Sequence, residues 1–132
     1  MPEERQTSRL RVVVVGPCAS GKSTLAERLS AVGFDAYVCA QEHSEIPTLW
    51  RHLGPDIVIG LDVDLATIRD RRGDDWPDTI YQQQRRRLGL AWDAAEIIID
   101  TSTTSADETF ARAVDALNQL QTQSASTNTP GH

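Results

Sequence analysis

Two glycines, a lysine and two hydroxyl residues fall within the nine positions 16–24, GPCASGKST. Gly16, four intervening residues, then Gly21, Lys22 and Ser23 match the spacing G-x-x-x-x-G-K-S/T. These types suit a polyphosphate. Glycine lets the backbone take angles that aim successive N–H groups, here those of Ala19, Ser20 and Gly21, into one concavity. The Lys22 ammonium can reach β- and γ-phosphates, and the Ser23 hydroxyl is a hard oxygen donor of the kind Mg²⁺ prefers. Thr24 is placed for the α-phosphate. A helix opening near Lys22 adds its positive dipole end, worth about 0.3–1 kcal/mol per anionic contact at an exposed site. Cys18 occupies a variable position of the pattern and reads as a small buried thiol rather than a redox group.

Such a loop needs a frame. The β-branched run at residues 12–15 suits a strand buried on both faces. Leu25, Leu29 and Val32 follow at i, i+4 and i+7, a helical stripe that stops at Gly33. Further strands are predicted at residues 35–40, 56–63 and 96–100, and a short helix over IPTLWRHL at 46–53. Asp64 can cap a helix carrying Leu65 and Ile68. A long helix is expected over about 76–93 and a last one over about 106–120. Strands alternating with helices imply an α/β domain. The expected form is a three-layer sandwich around a parallel sheet of four to five strands, with residues 12–15 central.

The 132 residues suggest one domain over 9–121, with 1–8 a loose leader and 122–132 a disordered polar tail. A net charge of -6 argues against a nucleic-acid partner. No apolar run could span a bilayer, and the first nine residues lack the apolar segment of a signal peptide. Cys18 and Cys39 make no CxxC pair, so neither a disulfide framework nor a zinc site is expected. A cytoplasmic protein with reduced thiols and no membrane partner is therefore expected.

Other groups could complete a phosphate site. Glu42, just beyond one strand, and Asp62, at the end of another, are the two acids placed to serve magnesium. Gln41 and His43 lie where open α/β sheets bind ligands and are candidate contacts to a second, small substrate. A solvated His43 is the alternative. Trp50 reads as core. On the long helix, Tyr81, Leu88 and Trp92 define the apolar side, and Arg85 shares it. Arg86 points away and Arg87 lies on the flank. An inward arginine needs an anion, either a carboxylate such as Asp62 or a triphosphate. Arg69 and Arg72, three apart, share a face of the preceding helix.

With GPCASGKST, the arginine-bearing IRDRRGDDWPDTIYQQQRRRL and IIIDTS read together, the chain resembles the P-loop kinases of the nucleoside and nucleotide kinase type. Adenylate, cytidylate and shikimate kinases are of this type. The resemblance covers roughly residues 10–120. It implies the fold of the P-loop containing nucleoside triphosphate hydrolases, ATP and Mg²⁺ as cofactors, and transfer of the γ-phosphoryl group to a nucleoside, nucleotide or other small metabolite. By the same resemblance Lys22, Arg69 and Arg85 would act on the transferring phosphoryl. Arg69 or Arg72 would lie near the adenine and phosphates, and Thr101 and Ser102 would border the adenine. It also favours Glu42 over Asp62 for magnesium, because the strand ending at Asp62 is the one that feeds the lid. The chain departs from the family in length. About twenty-three residues separate Val32 from Asp56, so one strand and the acceptor-binding insertion are missing. A regulatory nucleotide-binding module, or a slow NTPase, is the alternative that this shortness implies.

Overall fold

The computed structural model describes residues 10–127. Strand β1 (Arg11–Val15) forms around four consecutive valines, each 0% exposed. A β-branched run covered on both faces favours extended backbone. Strands β2 (Asp35–Val38), β3 (Ile57–Asp62) and β4 (Ile97–Asp100) join it in one parallel sheet of order β2-β1-β3-β4. Val12 pairs with Ala36 on one side and Ile57 on the other, so β1 is central as expected.

Helices α1 (Lys22–Ala31), α2 (Leu65–Arg72), α3 (Asp78–Ala94) and α4 (Ala106–Thr127) connect or follow the strands. The two-residue period of β1 feeds two cores. Val12 and Val14 pack with Leu25 and Leu29 of α1 and with Ala113 and Leu117 of α4. Val13 and Val15 pack with Leu88 and Ala91 of α3 and with Trp50. Helices thus cover both faces of the sheet, an arrangement compatible with three layers. Because the strands are parallel, the loops that follow them collect at one edge of the sheet.

Several bounds differ from expectation. Helix α1 ends at Ala31, and Val32, its C-cap residue, is 56% exposed, so only Leu25 and Leu29 form the stripe. Gly33, at φ 103, turns the chain into β2. Residues 46–53 yield only a 3₁₀ helix, Leu49–Leu53. Helix α4 runs on to Thr127 and takes in residues 122–127, which the composition assigns to a tail. The expected leader at 1–8 and the remainder of that tail lie outside the described residues. Asp64 caps α2 as expected, its Oδ1 accepting from the Thr67 N–H at 2.7 Å. Both cysteines are free. No helix among the described residues is long and apolar enough to cross a membrane.

Candidate functional site

Strand β1 gives way to the loop at Gly16, where no larger residue fits. A Cβ there would lie 2.7 Å from Ser20 Oγ and 2.8 Å from the Leu61 carbonyl oxygen. The loop closes through a bond from the Ser20 N–H to the Pro17 carbonyl at 3.2 Å. Ala19 takes a left-handed φ of 64, a conformation that costs an L residue about 1 kcal/mol. Gly21, at φ 93, is the N-cap of α1 and offers no side chain to its first-turn N–H groups. Ser23 and Thr24 are exposed in that turn. Ser20 is buried, and its Oγ has no hydrogen-bond partner.

Lys22 lies across the loop. Its Nζ donates to the Pro17 carbonyl at 3.0 Å and sits 2.8 Å from Glu42 Oε2. Glu42 reaches this point from a single 3₁₀ turn, Gln41–His43, that follows β2. Glu42 is a buried acid, not an exposed loop carboxylate, and its Oε1 has no hydrogen-bond partner. Gln41, expected to touch a substrate, is fully buried instead. Its Nε2 donates to the Ile46 carbonyl at 2.7 Å and its Oε1 accepts from the Trp50 N–H at 3.0 Å. The amide ties the turn at 41–43 to the start of the Leu49–Leu53 3₁₀ helix, so Gln41 is framework. His43 is exposed, with Nε2 3.6 Å from Glu42 Oε2 and 3.7 Å from Cys18 Sγ.

On the other side of the loop lies a concavity of about 410 Å³. Ser20, Gly21, Lys22, Ser23 and Thr24 line one wall, Arg71 and Arg72 of α2 a second, and Thr101, Thr104 and Thr109 a third. Arg71, which the sequence did not single out, braces the site. Its Nη1 donates to the Ala19 carbonyl at 2.5 Å and its Nη2 to the Thr101 carbonyl at 2.9 Å. Thr101 is buried and donates its hydroxyl proton to the Ser20 carbonyl at 3.0 Å. Ser102 does not line the cavity. Its Oγ accepts from the Asp64 N–H at 2.8 Å. Arg69 is also absent from the lining, because its Nε donates to the Trp76 carbonyl at 3.0 Å.

Arg85 faces inward as its spacing requires, and the anion it finds is Asp62. Its Nη1 lies 2.7 Å from Asp62 Oδ1 and 3.2 Å from Tyr81 Oη, with the guanidinium over the Trp92 ring at 4.8 Å. Burial works against the charged form of Arg85, but the hydrogen bond and charge of Asp62 outweigh it and its pKa is raised. Arg86 is exposed, and Arg87 pairs with Glu45. Asp62 is therefore committed to α3, which leaves Glu42 as the acid beside the loop. Gln84, also missed from sequence, is buried against Cys18. Its Oε1 accepts from the Cys18 N–H at 3.1 Å and its Nε2 donates to the Cys18 sulfur at 3.2 Å.

No known family profile matches this chain, and no curated protein is detectably similar to it.

Proposed function

We propose that this chain, in a compact P-loop fold, binds a nucleoside triphosphate with Mg²⁺ at the 16–24 loop and transfers the γ-phosphoryl group to a small acceptor. The observation that carries the reading is Lys22. It stands at the mouth of a helix that begins without a capping side chain, between a neutral carbonyl and the buried Glu42 carboxylate. A phosphate oxygen is a stronger partner for the ammonium than the Pro17 carbonyl, because charge-assisted bonds are about twice as strong as neutral ones. The helix dipole and the loop N–H groups add to that attraction.

The donor set fits Mg²⁺. Ser23 is exposed at the head of α1, Glu42 keeps an oxygen without a partner, and both offer hard oxygens. When bound, Mg²⁺ would neutralise charge on the β- and γ-phosphates. Lys22 and Arg72 would offset the remainder from the two sides of the loop, and Arg71 would hold the loop closed through its two carbonyl bonds. The concavity of about 410 Å³ has room for a nucleoside between the loop and Thr101, Thr104 and Thr109.

A binding module or slow NTPase is the second reading. Two observations favour it: Arg85 is held by Asp62, and Gln41 is consumed by its own segment. Thermal unfolding with ATP·Mg²⁺ tests the shared premise. At 100 times Kd the folded state gains about 2.7 kcal/mol, a rise of roughly 10 °C. Lys22→Ala should remove most of that rise relative to its own apo midpoint, and an unchanged rise would sink the loop assignment. ADP formation that depends on an added nucleoside, nucleotide or small metabolite supports the kinase. Formation without an acceptor supports the NTPase, and binding with no ADP at all supports the module.

A further inference from the structure

We propose that Cys18, Glu42 and His43 form a binding site for a borderline divalent ion of the zinc class. The donors come from two loops at the carboxyl edge of the sheet, Cys18 after β1 and the other two after β2. One ligand atom from each lies within 4.8 Å of the others. Cys18 Sγ is 3.7 Å from His43 Nε2, which is 3.6 Å from Glu42 Oε2. Around tetrahedral zinc, bonds of about 2.3 Å to sulfur and about 2.0–2.1 Å to nitrogen and oxygen put neighbouring donors about 3.4–3.6 Å apart. The Cys18–His43 and His43–Glu42 pairs already stand at nearly that spacing.

Two further features belong to a built site. Glu42 is nine-tenths buried or more, and while Oε2 holds Lys22, Oε1 has no partner. The oxygen that stands 3.6 Å from His43 Nε2 is Oε2, so the metal would share it with Lys22 through its second lone pair. Gln84, also buried, grips Cys18 at both its backbone N–H and its sulfur. Outer-shell partners of this kind orient a ligand before the metal arrives. The donor types select the ion. Sulfur and imidazole suit zinc and its neighbours, whereas Mg²⁺ and Ca²⁺ take oxygen. Three protein donors leave a fourth position to solvent on the exposed His43 side. As the metal binds, the Cys18 thiol releases its proton to water and the freed sulfur pair forms the bond.

This site shares Glu42 with the magnesium site proposed above but does not depend on it, and it is tested without nucleotide or magnesium. The full chain, stripped by a chelator and kept reduced, is titrated with Zn²⁺ against a chromophoric competitor and with Co²⁺ as a spectroscopic probe. One equivalent should bind, and the cobalt spectrum should carry a thiolate charge-transfer band. Cys18→Ser should abolish that band and weaken Zn²⁺ by more than about 100-fold, beyond the cost of losing an outer-shell partner. His43→Ala, at an exposed position that the fold does not need, should weaken Zn²⁺ to a similar degree. Absence of stoichiometric binding, a thiolate band that survives Cys18→Ser, or unchanged affinity in His43→Ala would overturn the site. Nucleotide binding without zinc binding would remove only this proposal, and zinc binding without nucleotide binding only the other.

Discussion

Lys22 Nζ and Glu42 Oε2 lie 2.8 Å apart, with the two side chains 11% and 4% exposed. Each charge is out of water and depends on the other. Removing one member of a buried pair costs about 3–5 kcal/mol because the other charge stays behind uncompensated. Lys22→Ala should therefore lower the stability of the nucleotide-free protein by about 3 kcal/mol in urea unfolding. Adding Glu42→Gln should restore more than about 1 kcal/mol of that loss, the signature of coupling in a double-mutant cycle. Additive losses in the cycle would mean that the two charges do not support each other.

Asp64 supplies a pH-dependent contribution. Its carboxylate accepts from the Thr67 N–H at the head of α2. Hydrogen bonds from the Thr67 side chain and then its N–H, aided by Ser102 and the charge of Arg71, hold its pKa below the ordinary aspartate value. A carboxyl whose folded pKa is depressed adds stability above its unfolded pKa. It loses that stability as pH falls through the folded value. Asp64→Ala should cost about 1 kcal/mol near neutral pH, as for other N-caps. The gap to the parent should narrow from about pH 4 downward. A gap in urea midpoint stability that stays constant down to about pH 2 would contradict the assignment.

The parts of this molecule legible in the sequence are those where one residue type has one physical use. Four β-branched valines in a row suit a covered strand, and their end marks where the glycine loop starts. The i, i+4 spacing of Tyr81 and Arg85 showed that Arg85 faces inward, but spacing cannot choose between a carboxylate from β3 and a ligand. Arg71 was hidden for the same reason. Arg69, Arg71 and Arg72 sit within one short helix, and which of them reaches the loop depends on how α2 lies against Ala19 and Thr101. Gln41 was a candidate substrate contact because it follows a strand at the carboxyl edge of the sheet, where open α/β sheets bind ligands. It is buried where its amide clips the Ile46 carbonyl to the Trp50 N–H in the first turn of the Leu49–Leu53 3₁₀ helix. Glu42 follows from that clip, since the same turn carries it under Lys22.

Arg85 gives the last prediction. Its pair with Asp62 is 2.7 Å long, and both side chains are about a third exposed, at 35% and 34%. Solvent screening limits such a pair to at most about 1 kcal/mol. The guanidinium over Trp92 adds about 0.5–1 kcal/mol. Arg85→Ala should therefore lower stability by about 1–2 kcal/mol, equally with and without ATP. Arg86→Ala, at an exposed position, should stay within about 0.5 kcal/mol of the parent. Asp62→Asn separates the structural role from a catalytic one. If Asp62 is the working partner, Asp62→Asn and Arg85→Ala should each lower stability, and the double variant should lose little more than the worse single one. Turnover per folded molecule should then change no more in Arg85→Ala than in Asp62→Asn. An arginine that leaves its carboxylate for the transferring phosphoryl contributes about 10³–10⁵ in rate. A fall of that size in Arg85→Ala, with Asp62→Asn still active, would make Arg85 the cation over the γ-phosphate and the ion pair its resting position.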